Sequence, residues 1–171
     1  PRQWPNLVTV NFMADDLPRI PIPTPDSDGT EKMVFLQEQI VNFLRQYSMP
    51  LIEVSLVFSK YTRQLTEALT LQAEAEGETL PEILTQPWPL LGESTSSESS
   101  GPPLDTVLQN LDDDRMDILD TILRTSMVAT EMPLADALMQ LRQWEHLARN
   151  QLAESKATGQ LFSPIEIPEE W

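Results

Sequence analysis

Asp113, Asp117 and Asp120 recur at four- and three-residue steps within a stretch of helical pattern, which places them on one helix face. Carboxylates so grouped can hold Mg²⁺ or Ca²⁺, or divide into an acid and a base where their surroundings separate the two pKa values. Either chemistry needs a second acidic element of fixed geometry, and none is evident. The stripe therefore reads as a solvated face able to meet a basic partner. The single histidine, His146, has Gln143 three residues before it, whereas a diiron bundle takes Glu-x-x-His from each of two helices. "TPDSDGTE" at 24–31 resembles a calcium loop only superficially. With Gly29 in its sixth place, the twelfth place falls on Phe35, where a bidentate glutamate is required. The stretch is better read as a turn and a helix cap.

No Gly-rich phosphate loop and no G-x-S-x-G elbow occur. Cysteine is absent, which removes thiolate nucleophiles, thiolate metal sites and disulfides together. These observations predict no enzyme, no metal and no cofactor. They favour a non-enzymatic protein–protein interaction module, a subunit, adaptor or assembly factor of a larger complex.

The net charge of −16 sets the class of partner. So acidic a chain repels phosphate backbones and anionic lipid, disfavouring direct nucleic-acid or membrane binding, and it attracts basic surfaces. The alternative function is accordingly an acidic chaperone, or a nucleic-acid-mimicking inhibitor of a basic partner. The charge concentrates at 104–123, where six aspartates accompany one basic residue, Arg115. No apolar run approaches a membrane span and no basic-then-apolar leader opens the sequence, so an intracellular, water-soluble protein, cytoplasmic or nuclear, is expected.

Apolar residues in proline-bounded irregular chain are further partner-binding candidates. Near the start, Trp4 precedes Val8, Val10 and Phe12, which fall on one side of a two-residue period. Near the end, Ile165 and Ile167 share a side and Trp171 follows. Both segments can add a strand to a partner's sheet, pair with one another, or fold back on the helices. Trp88 presents the same choice, because an exposed indole either folds back or inserts into a partner.

Helical periodicity supplies the elements between. Residues 1–29 read as an extended arm, with Pro18, Pro21, Pro23 and Pro25 favouring polyproline II. From 30 to 91 a first helical hairpin and a short helical turn are expected. Thr30 is its cap; Met33, Leu36, Ile40, Phe43, Leu44 and Tyr47 mark one helix; Leu51, Val54, Phe58, Tyr61, Leu65 and Ala68 mark the next, in a coiled-coil-like seam. Gly77 ends it. Residues 92–103, rich in Ser, Gly and Glu, read as a linker.

The second hairpin runs over 104–159. Leu104, Leu108, Leu111, Ile118, Ile122 and Thr125 form its first seam, with Leu119, Leu123 and Met127 beside it. A continuous or kinked helix is expected to about 129, although "DDDR" at 112–115 offers a break between a short helix and a longer one, with Arg115 either snorkelling outward or forming a polar layer. Leu134, Leu138, Leu141, Trp144, Ala148 and Leu152 mark the last helix, and 160–171 return to extended chain. "MPL" stands at both inter-helix corners, at 49–51 and 132–134. At each, proline stops one helix and starts the next. The triplet without wider similarity does not establish a duplication. The expected fold is all-α: two antiparallel αα-hairpins forming a four-helix-bundle-like domain with Pro-rich arms, completed within one chain or in a homo-oligomer.

Overall fold

The computed structural model describes residues 21–92 and 104–171. The arm expected before residue 21, and the linker expected from 93 to 103, lie outside them. Among the described residues the chain is helical, without named strands: α1 (Gly29–Tyr47), α2 (Leu51–Glu76), α3 (Glu82–Thr85), α4 (Leu104–Gln109), α5 (Asp113–Ala129), α6 (Leu134–Glu154) and α7 (Thr158–Leu161).

Both Met-Pro-Leu corners are built alike. Ser48 and Glu131 turn left-handed, with φ of 46° and 49°. The following methionine N–H then reaches back five residues, Met49 to Leu44 O at 3.4 Å and Met132 to Met127 O at 3.1 Å. This is the Schellman closure of a helix C-terminus. The methionines are buried, and Pro50 and Pro133 cap the next helices with nearly equal φ and ψ, −59°/141° and −57°/138°. Proline thus stands at the N-cap, one place earlier than the first helical position.

The corner-linked helices do not lie side by side as the expected hairpins would. α1 packs on α5 and α6, and α2 on α6 and α5, while neither α1 with α2 nor α5 with α6 packs along its length among the described residues. A three-residue turn can equally join helices set at a wide angle, and here each half completes the other's core. The contact pattern is unchanged when the halves are exchanged, as in a twofold dimer written on one chain.

Register confirms the likeness. Residues 83 positions apart (as Met49 and Met132 are) share environments: Leu36 with Leu119, Ile40 with Leu123, Phe58 with Leu141 and Tyr61 with Trp144 are all buried. One such pair, Thr62 and Glu145, meets directly through a 2.7 Å hydrogen bond. The sequence triplet is the visible end of a repeat carried by side-chain size and burial more than by identity.

Three local expectations change. The helix over 104–129 is broken, because Asp112 caps α5 by accepting the Arg115 N–H at 3.1 Å, ending the short α4 before it. α6 stops at Glu154 rather than at Gly159. In α2, Leu69 rather than Ala68 continues the buried face. Gly77 ends α2 as expected, at φ 71°.

Candidate functional site

The three aspartates of α5 do not act together. Asp113 and Asp117 are exposed, while Asp120 meets Lys60 of α2 at 3.5 Å and Arg124 of its own helix at 3.9 Å. The Asp120 carbonyl accepts the Tyr61 hydroxyl at 3.1 Å. Burial, and then the Asp120 charge, push the Tyr61 phenol above its ordinary range. Among the described residues no three His, Asp or Glu side chains gather as metal ligands.

Arg115 leaves the acidic face altogether. It forms a bidentate pair with the fully buried Glu53, Nε and Nη2 donating at 2.8 and 2.6 Å, and those hydrogen bonds hold the guanidinium above its ordinary pKa. A second buried pair joins Arg142 and Glu145 at 2.7 Å. Arg142 also donates to Leu84 O and Thr66 Oγ1, each at 3.0 Å. Every side-chain polar atom of this cluster that burial removes from water is hydrogen-bonded.

What remains open is apolar. Ile118 and Ile122 of α5 and Phe35 and Gln39 of α1 line a groove of about 550 Å³, together with Ile22 and Asp117. The groove stays open because short or polar side chains, Thr121, Thr125, Ser126 and Ala129, stand where an interior would need branched aliphatics. Ile118 remains 37% exposed and Ile22 63%. A second depression, which shares Ile22 and Phe35 with the groove, is also lined by Pro21, Pro23 and Val34.

This face corrects the reading of α5. The seam through Ile118, Ile122 and Thr125 lines the groove, whereas the core takes Leu119 and Leu123, each with no exposed surface. The available signal was the pair of adjacent apolar stripes on a single helix: Ile118/Ile122 and Leu119/Leu123 together make a face wider than a narrow seam, and part of it stays uncovered. Among the described residues, Asp117 is the one partner-binding candidate that lines the groove. Trp4, Val8, Val10 and Phe12 fall outside the described residues.

The tail residues lie on the helices. Leu51 N–H donates to Ser163 O at 2.8 Å and Ile165 N–H to Met49 O at 3.2 Å, forming a bridge at the first corner. The Gln151 amide brackets Glu166, donating to its carbonyl at 2.6 Å and accepting its N–H at 3.0 Å. Ile165 is buried, Ile167 packs at the core margin, and Trp171 meets the Trp144 ring edge-on at 4.8 Å. Trp88 also folds back. Its ring lies 5.7 Å from that of His146, and its indole N–H donates to Ile83 O at 2.9 Å. His146 holds the same strap through Pro89 O at 2.9 Å.

No helix among the described residues is long and apolar enough to cross a membrane. Comparison of this chain with protein-family models, with curated proteins and with solved structures returns no match.

Proposed function

We propose that this chain is a non-enzymatic protein–protein interaction module, a subunit, adaptor or assembly factor, that docks another protein in the groove between α1 and α5. The observation that carries this reading is the groove itself, an apolar concavity left open beside a well-filled core. Exposed aliphatic surface of this kind is favourable to cover. Asp117 on the rim and Asp113 one turn away favour a partner with basic residues flanking its apolar ones.

Capture from the native cell by the full chain and by two variants tests it. Ile118→Glu places a charge in the groove, while Leu71→Glu alters an exposed residue of α2 that does not line it. Burying one isoleucine contributes about 1.5–3 kcal/mol, so Ile118→Glu should weaken a groove-bound partner by at least about tenfold. A partner retained equally by both variants would remove the groove from the function.

A further inference from the structure

We infer that the segment this groove takes from a partner is a basic amphipathic α-helix of about three turns, its aliphatic side chains turned into the groove. The inference rests on the α1–α5 groove being the docking surface and names the class of ligand it selects.

The pattern of the walls is the first argument. On α5 the lining residues fall in two rows of four-residue step, Asp117, Thr121, Thr125 and Ala129 in one and Ile118, Ile122 and Ser126 in the other. On α1 the same step recurs in Glu31, Phe35 and Gln39, with Val34 and Glu38 beside them, once the second depression is joined to the groove. Rows of this spacing are the ridges between which the side chains of a third helix settle. Thr125, Ser126 and Ala129 are short, so its axis can approach to the roughly 8–10 Å of packed helices. The α5 rows run about 18 Å at 1.5 Å per residue, which a helix of about 12 residues matches.

Backbone chemistry is the second argument. Both walls are helices, whose amides and carbonyls are paired along their lengths, and no strand edge borders the groove among the described residues. The Thr121 hydroxyl is engaged as well, donating to Asp117 O at 2.8 Å. An extended segment would lay most of its N–H and C=O groups on aliphatic side chains, whereas a helix pairs them internally.

Charge is the third. Asp28, Glu31, Glu38 and Asp117 line the two depressions and are exposed, and among the described residues no lysine or arginine lines either one. Carboxylates along an apolar floor select lysine or arginine at the edges of an aliphatic helix face. A second copy of this chain brings the same net charge of −16 and is repelled.

Three fluorescein-labelled peptides, titrated by anisotropy with the full-length protein, test the inference. The first combines leucine and lysine with leucine at helical three- and four-residue steps. The second has the same composition with leucine at alternate positions, and the third repeats the first with glutamate for lysine. The first should bind at least about tenfold tighter than either of the others. Ile118→Glu and Thr125→Lys should each weaken it by about tenfold or more, while Leu71→Glu, outside the groove, should not. Two variants of opposite charge keep the result readable should circular dichroism show one of them unfolded.

Attachment through charge alone would be strengthened by Ile118→Glu, so a gain there overturns the inference. Equal affinity for the two lysine peptides, or for the glutamate peptide, does the same. Sedimentation of the protein alone as a dimer that Ile118→Glu disperses would assign the groove to a second copy and also overturn it. Loss of the native partner in Ile118→Glu, alongside equal binding of the two lysine peptides, would keep the docking surface and remove the helix. Preference for the helical peptide in a protein whose native partner ignores Ile118→Glu would keep the helix-binding groove and remove its role in the native complex.

Discussion

Replacing Arg115 should be among the most damaging single changes in this protein, because of the group it abandons. Glu53 has no exposed surface, and both its oxygens are taken by Arg115 at 2.8 and 2.6 Å. Arg115 itself keeps 27% of its side chain accessible. The two partners are therefore unequal in what they lose. Arg115→Met leaves an unpaired carboxylate in the interior, at a cost of about 3–5 kcal/mol. Glu53 lies in the first turn of α2, whose dipole offsets about 0.5–1 kcal/mol of that. A net loss near 3 kcal/mol follows, which for a chain of this size lowers Tm by about 6–12 °C. Glu53→Gln costs less, about 1–2 kcal/mol, since Arg115 can turn to water and to Asp112, 3.8 Å away. Glu53→Leu/Arg115→Met removes both charges and should fall within about 1 kcal/mol of the parent. Urea unfolding of the four proteins, followed by circular dichroism, measures each value. A loss below about 1 kcal/mol for Arg115→Met, or equal losses for the two single variants, would refute the burial argument.

Adjacent residues of α5 should behave oppositely: Leu119→Ala is expected to cost about 2–5 kcal/mol, whereas Ile118→Glu should stay within about 1 kcal/mol of the parent, both read by urea unfolding. Ser48→Gly and Glu131→Gly relieve side chains held at positive φ and should each stabilise by about 0.5–1 kcal/mol, visible as raised Tm. Trp171→Ala should cost about 1–2 kcal/mol and alter the fluorescence of Trp144, and unchanged emission would contradict their edge-on contact. Tyr61 gives a pH signature. Its folded phenol titrates above the unfolded value of 10.0, so as pH rises past that value only the unfolded chain ionises and stability falls. Tyr61→Phe should lose less stability between pH 9 and 11 than the parent, in urea midpoints measured at both. Equal losses would contradict the buried phenol.

Much of the helical content was legible, because its apolar residues recur at three- and four-residue steps and its ends carry Pro50, Gly77 and Pro133. Partnership among the helices was not. A short turn reads the same whether the second helix returns along the first or departs at a wide angle, and only the interlocked core decides between them. Glu53, Arg142 and Glu145 look like solvated helix residues in sequence, since burial of a charge depends on a counter-ion from a distant segment. The break before α5 was visible as "DDDR", but its meaning required the Asp112 side chain to close on the Arg115 N–H. The groove was hidden because periodicity finds apolar stripes without saying which of two neighbouring stripes the core will choose.

The exchange of partners between halves has a consequence for how this chain acquires its shape. With α1 resting on α5 and α2 on α6, most stabilising burial joins segments some eighty residues apart in sequence. Each helix pair by itself would expose most of its apolar side chains, so neither is a unit that can collapse early and wait. The loop-closure entropy must be met before those contacts repay it, which slows folding for a helical protein. A backbone cut between residues 92 and 104, made after folding, should leave two pieces that hold each other in place.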